Sequence, residues 1–371
     1  MNNFRAISIK TQVRRLRYFQ ILMRILESKG LPKEVLARKV ITWSEEHHSH
    51  FELYNSSSGE IVSSKKGRLS QSFENYFIAA KNLGLLIEQH GLVIPTRIGE
   101  VLGKLSEMDS GLTKLPNAYG LTVLEKFYFP YLLLSKDFDI LITLFEMLSQ
   151  GYSELPKFYE DYKTHYSKRL DRKMEFISQQ DKSKLFDALQ RVQGWKNPKR
   201  YSEDIIPSRL NWLIDLGLVD ENKFPNEERY VLNGSGIRFF ENLPTFPPEM
   251  QKEVSPQWLN SNYFGFIGEC LKVECENFQR WNLLNIEGKQ SLISEAIDVF
   301  LIRFNTFGIP RLSVEQTCLF ISLFSLTKRK VIVEFEEILE WIGFEKEIGT
   351  LKLGFRGASR PGESYLIVSN A

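Results

Sequence analysis

The chain has 371 residues, 43% hydrophobic and 25% charged, with three cysteines and a net charge of +2. This make-up fits two or three soluble domains, with no apolar run of about 20 residues to span a bilayer, no leader-like start and no disulfide framework. The expectation is a cytoplasmic protein without a membrane partner, and the charge is uneven: residues 1–40 carry ten basic side chains against Glu27 and Glu34, which suits a polyanion or an acidic partner.

In chain order, Val13, Leu16, Phe19, Met23 and Leu26 recur at helical spacing and predict a helix over 11–28. Lys10, Arg14, Arg17 and Arg24 fall on one side of it, as a basic stripe or a solvated face. A helix over 33–43 follows Pro32. Residues 44–68 read as a polar loop or a poorly ordered hairpin containing Lys65, Lys66 and Arg68. Leu69, Phe73, Phe77, Ala80 and Leu83 define a strong helix whose free face would carry Ser70, Gln71, Glu74, Asn75 and Lys81. His90-Gly91 reads as a two-residue hairpin turn.

Residues 117–193 read as helix in segments 119–134, 137–150, 155–167 and 168–193, with Asp137 a candidate cap. They form a spacer or the start of the next module. Lys196, Lys199, Arg200 and Tyr201 precede a helix predicted from Pro207 to Leu216. Leu210, Leu213 and Ile214 would face inward there, leaving Ser208, Arg209 and Asn211 free. The following hairpin has an acidic tip. Prolines at 244–256 suggest a boundary. Helices are expected over 257–275, 289–305, 313–326 and 334–342. A closing hairpin has a connector with Arg356 and Arg360, and Val331-Ile332-Val333 is the candidate first strand of that last module.

One phrase occurs twice. Leu83-Gly84-Leu85, a hairpin, and Thr96-Arg97-Ile98-Gly99 are matched by Leu216-Gly217-Leu218, a hairpin, and Asn233-Gly234-Ser235-Gly236. Each reads as a helix ended by a left-handed glycine, two strands and a capped helix. This order resembles the winged-helix superfamily, although no particular family within it. The resemblance implies an α+β, predominantly helical chain with two or three winged-helix modules joined by helical segments. The expected division is 1–116, 117–195, 196–246 and 257–371.

Other constellations are weaker. His47-His48-x-His50 lacks companions for a tetrahedral metal site, and Cys270 and Cys275 fall on an apolar helix. Glu334, Glu336, Glu337 and Glu340 near Lys330 form the one acidic cluster a nuclease could use. However, Phe335, Ile338, Leu339 and Ile342 make a buried face opposite Glu336 and Glu340. No phosphate loop or hydrolase motif is present.

The expectation is therefore a DNA-binding recognition subunit of a bacterial multi-protein system, such as phage defence, restriction or DNA maintenance. It would have no catalysis, metal or cofactor of its own. Double-stranded DNA is the expected partner, with a protein partner or a second copy. Lys10, Arg14, Arg17, Arg24, Lys65, Lys66, Arg68, Lys196, Lys199, Arg200, Arg356 and Arg360 would hold phosphates. Gln71, Asn75, Arg209 and Asn211 would lie near base edges. The alternatives are a winged-helix docking subunit of a chromosome-structuring ATPase complex and a nuclease with scattered catalytic residues.

Overall fold

A computed structural model describes residues 5–10, 12–27, 30–52, 60–61, 70–108, 118–175, 179–224, 227–246, 251–271, 277–304, 311–344, 347–348, 351–356 and 364–370. The chain is mostly helical with small sheets.

Residues 5–16 form an arm that precedes α1 (Arg17–Leu26). The helix predicted from residue 11 thus begins six residues late. The backbone N–H groups of Arg14 and Arg15 bond the Tyr76 hydroxyl at 3.0 and 2.8 Å, and Leu16 N–H bonds Asp215 at 2.9 Å. Tertiary acceptors stand in for the carbonyls that would have propagated a helix. There follow β1 (Leu31–Pro32), α2 (Lys33–Glu46), α3 (His48–Glu52), α4 (Gln71–Asn82), β2 (Leu86–Gln89), β3 (Leu92–Pro95) and α5 (Arg97–Met108). Helix thus occupies part of the stretch expected to be a loop; Lys65, Lys66 and Arg68 lie outside the described residues. His90 and Gly91 both have positive φ, 51° and 75°, as the tight hairpin turn requires. The sheet order is β1-β3-β2.

The next helices are α6 (Val123–Lys136), α7 (Phe138–Ser149), α8 (Leu155–Met174), α9 (Gln179–Gln193) and α10 (Pro198–Asp215). Thr122 and Glu125 close a capping box on α6. α8 runs unbroken through the junction expected near 167. α10 starts at Pro198 and carries Pro207 inside it, so the expected start at Pro207 is corrected. The hairpin β4 (Val219–Phe224) and β5 (Glu227–Leu232) and α11 (Gly234–Asn242) complete this stretch. Ser153 and Glu154 lie beside β5: Tyr230 N–H bonds Ser153 O at 2.9 Å, and Glu154 bridges Arg229 antiparallel.

Strands β6 (Thr245–Phe246) and β7 (Gln251–Lys252) lead to α12 (Pro256–Cys270), β8 (Gln279–Arg280), α13 (Ile286–Arg303), β9 (Arg311–Ser313) and α14 (Val314–Lys328). Then come β10 (Val331–Ile332), α15 (Phe335–Phe344), β11 (Glu347–Ile348), β12 (Leu351–Arg356) and β13 (Tyr365–Asn370). The terminal sheet runs β11-β12-β13-β9. Val331-Ile332, expected to be the first strand of this module, instead pairs in parallel with Gln279-Arg280. β9 takes that place against β13.

One topology thus occurs three times. A helix (α1, α7, α13) is followed by a short extended segment (β1, residues 153–154, β9) that leads directly into a second helix (α2, α8, α14). A later helix (α4, α10, α15) precedes a hairpin, and the short segment pairs antiparallel with the hairpin's last strand each time. The stretch read as a spacer or the start of the next module supplies the opening helices of the second unit.

The two matched phrases fold alike in atomic detail. Gly84 and Gly217 have φ of 74° and 70°, the left-handed ending that lets a helix turn sharply into a strand. Thr96 Oγ1 donates to Gly84 O at 2.6 Å, and Asn233 Nδ2 donates to Gly217 O at 3.0 Å. A Cβ on Gly99 would meet Leu85 O at 2.0 Å; on Gly236 it would meet Leu218 O at 1.9 Å. Only glycine lets the following helix approach the strand that closely.

Candidate nucleic-acid interface

In the first two units, the helix before the hairpin would have to present free polar groups to a duplex. The arm limits both. On the α4 side, Asn75 Nδ2 donates to Gln12 Oε1, and Asn82 Nδ2 donates to Ser8 O at 2.6 Å. On the α10 side, Ser208 Oγ donates to Lys10 O at 2.9 Å, and Arg209 Nη2 donates to Ile7 O at 2.7 Å. Arg15 pairs with Asp215 at 2.7 Å. The arm is a polar strip bonded to both helices.

Several expected contacts are therefore corrected. Arg209 is fully buried and paired with Asp137 at 2.9 Å. Asn211 is buried and bonds Pro207 O at 2.7 Å one turn back. Ser208 is buried with them. Asn75 is buried and also accepts from Gln71 at 3.2 Å. Ser70 is the N-cap of α4, accepting from Phe73 N–H at 3.1 Å. Arg17 is buried against Glu125 at 2.6 Å. The basic stripe does not form, because its members separate: Lys10 is exposed on the arm, Arg17 turns into the core, and Arg24 is exposed on α1. Arg14 is half-buried, within electrostatic reach of Tyr159 and Tyr230.

The buried charges form one network. Asp137 sits at the start of α7, but its carboxylate does not cap that helix. It accepts from Ile7 N–H at 2.9 Å and from Arg209. Burial pushes this carboxyl upward, against the pull of Arg209. Asp139 accepts from Arg5 N–H and Lys173 Nζ, each at 2.7 Å. Burial, the largest influence, raises Asp139, but Lys173, Arg169 and Arg5 together hold it below its ordinary value. Glu253, beyond the second hairpin, pairs with Arg5 at 2.5 Å and Lys173 at 3.1 Å. Four cations, counting Arg169 and Arg209, are thus spent on internal carboxylates, and of these Arg5 comes from the basic N-terminal stretch.

The surface retains Gln71, Lys10, Arg24, Lys196, Lys199 and Arg200, all exposed. Lys196, Lys199 and Arg200 lie together at the start of α10, beside an exposed Tyr201. On α4, Lys81 is tied to Glu88, and Lys33 to Glu74 at 2.7 Å. Arg360 lies outside the described residues; Arg356 ends β12, and its side chain is outside the description.

The third unit differs in sign. Its pre-hairpin helix, α15, lines a cleft of about 730 Å³ with Glu336, Glu337 and Glu340, joined there by Glu269, Glu334 and Arg280. Phe335, Ile338 and Ile342 are buried on the other side of α15. Glu334 is nearly buried and accepts from Phe264 and Gly265 N–H at 2.9 and 2.6 Å. Burial nevertheless raises its carboxyl to about 7. Among the described residues, no three His, Cys, Asp or Glu side chains are grouped to hold a metal. His47, His48 and His50 instead bond Trp43 O, Glu60 and Ala118 N–H. Cys270 and Cys318 are buried thiols; Cys275 lies outside the described residues. Among the described residues, no helix is long and apolar enough to cross a membrane.

One sequence signal of the repeat was readable beyond the doubled phrase. Leu31-Pro32-Lys33 and Leu155-Pro156-Lys157 recur where the short segment becomes a helix. Proline suits that place because it can end a strand and occupy a helix's first turn. The burial of Arg209 had no local signal, since its partners Asp137 and Ile7 are about 70 or more residues away.

No family model matches the chain, and no curated protein matches it. A solved structure of the restriction endonuclease FokI aligns over 99% of this chain and 64% of that chain, at 11% identity and a TM-score of 0.30. The chain therefore spans less than two thirds of the length of that protein, and at this score the likeness carries no argument about fold or function.

Proposed function

We propose that the three units are winged-helix modules and that the protein is a double-stranded DNA-binding subunit. It would supply recognition or assembly within a larger system such as phage defence, restriction or DNA maintenance. The observation that carries this reading is the threefold topology, with matching helix–hairpin junctions in the first two copies. The division of labour follows from exposure. Lys10, Lys196, Lys199 and Arg200 contact phosphates, and Gln71 on α4 is the exposed polar side chain nearest the role of a base reader. Arg24 is a further phosphate contact. The test is fluorescence anisotropy with duplex DNA at low and moderate salt. Binding that weakens steeply with salt is expected, since each neutralised phosphate releases counterions. Absence of binding at low salt contradicts the proposal.

A second reading, docking onto a protein partner, is favoured by one specific observation. α15 presents Glu336, Glu337 and Glu340 to its cleft, and such a face repels phosphate. A pull-down that recovers a partner whose binding survives neutralisation of Lys196, Lys199 and Arg200 would favour docking over DNA.

A further inference from the structure

An aromatic ladder runs from the core of the second unit to its surface. Tyr166 and Tyr162 on α8 are buried and parallel, 5.5 Å apart at 21°. Tyr162 lies parallel to Trp195 at 6.5 Å and 14°, and Trp195 to Tyr201 at 5.0 Å and 17°. The ladder therefore has an ordered direction, and its last ring is 47% exposed. Lys196, Lys199 and Arg200, all exposed, lie in the five residues between Trp195 and Tyr201. One face of Tyr201 is taken by Trp195. Packing alone accounts for Tyr162 and Tyr166, which are buried, and for the half-buried Trp195. It does not account for a large ring left half in water among three cations.

We propose that Tyr201 is a stacking platform for an unpaired base in DNA, with Lys196, Lys199 and Arg200 on its flanking phosphates. A π-face that is held parallel by a rigid ring beneath it is pre-oriented for a base, and every base offers a π-face. The three cations, which precede the ring in sequence, hold the backbone as the base leaves the stack. The start of α10 is not needed for this, because Asn197 already accepts from Arg200 N–H at 3.2 Å. The acidic residues Glu203 and Asp204 follow directly, so the cationic stretch ends where the platform ends. This inference rests on the DNA-binding reading and narrows it to a form of DNA with an extrahelical base.

The experiment uses the full chain and two duplexes of the same length, one flush and one with a single unpaired 2-aminopurine. Preference for the second duplex is expected, with quenching of 2-aminopurine emission as it stacks. In Tyr201→Leu the preference falls by about 5- to 140-fold, the range a lost base–aromatic stack gives. Flush-duplex affinity is unchanged in that variant, and Tyr201→Phe retains both preference and quenching. If the protein binds flush duplex but shows no preference, or the preference survives Tyr201→Leu, the stacking site is overturned and DNA binding stands. If neither duplex is bound, both readings fall.

Discussion

Helices α4 and α10 occupy the same place in two copies of one topology, and they have opposite surfaces. Each ends in a left-handed glycine, feeds a hairpin and is followed by a helix whose glycine admits a carbonyl. Yet α4 keeps Gln71, Ile78 and Lys81 exposed, whereas α10 is buried continuously from Ile206 to Leu213. The difference comes from the arm and the Asp137–Asp139 corner, which meet α10 with ion pairs and α4 with a few neutral hydrogen bonds. A repeated backbone therefore does not repeat a surface. In the second copy, polar groups suited to reading a partner have become the joint between units.

The largest expected effect tests that joint. Arg209→Ala leaves Asp137 buried without its ion partner, and should cost about 3–5 kcal/mol in urea unfolding. Gln71→Ala on α4 should stay within about 0.5 kcal/mol, as an exposed substitution does. Similar costs at the two positions would erase the contrast.

Glu334 gives a comparable effect, read through pH. Its folded pKa, about 7, lies above the unfolded value of roughly 4.3. The folded state thus binds more protons between those values. The contribution is full below about 4.3 and is lost as pH rises through about 7. Glu334→Gln should remove that slope, which chemical denaturation at a series of pH values measures. A slope unchanged in the variant would show that another group is responsible.

Gly99→Ala and Gly236→Ala sharpen the comparison from its other side. Both place a Cβ about 2 Å from a strand carbonyl, so each should cost about 1–3 kcal/mol as the helix is forced off the strand. Thermal melts of the two should agree closely. A tolerated alanine at either position would mean that the two junctions are not equivalent.

The smallest effect on stability belongs to the exposed cations. Replacing Lys196, Lys199 and Arg200 together by Gln should leave unfolding within about 0.5 kcal/mol. On the proposed function it should lower the salt slope of duplex binding by about 2.7, roughly 0.9 per phosphate contact. An unaltered slope would remove this patch from the interface.

The hairpins, their glycines and most helix cores were legible because they are local: period-3.6 apolar residues such as Phe73, Phe77 and Ala80, and a positive-φ glycine between two leucines, need no distant information. The third unit's strand was misplaced. Val331-Ile332-Val333 is as β-branched as a strand should be, but pairing chose Arg311–Ser313, whose neighbour β13 lies more than 50 residues on. The site suffered most. Arg17, Asn75 and Arg209 look like surface chemistry, yet each is satisfied by a residue that sequence spacing does not bring near, such as Glu125 for Arg17 and Ile7 for Arg209. Composition likewise reported the excess of positive charge near the N-terminus without showing that Arg5, Arg15 and Arg17 are spent internally.

The most direct test of this contrast is hydroxyl-radical footprinting of the free protein and of the protein saturated with the duplex that carries an unpaired base. The account predicts protection of Ile78 on α4 and of Tyr201, with Trp212 and its neighbours on α10 unreactive in both states. Protection or exposure appearing along residues 206–213, with Ile78 and Tyr201 unchanged, would contradict it and make the buried helix the working surface.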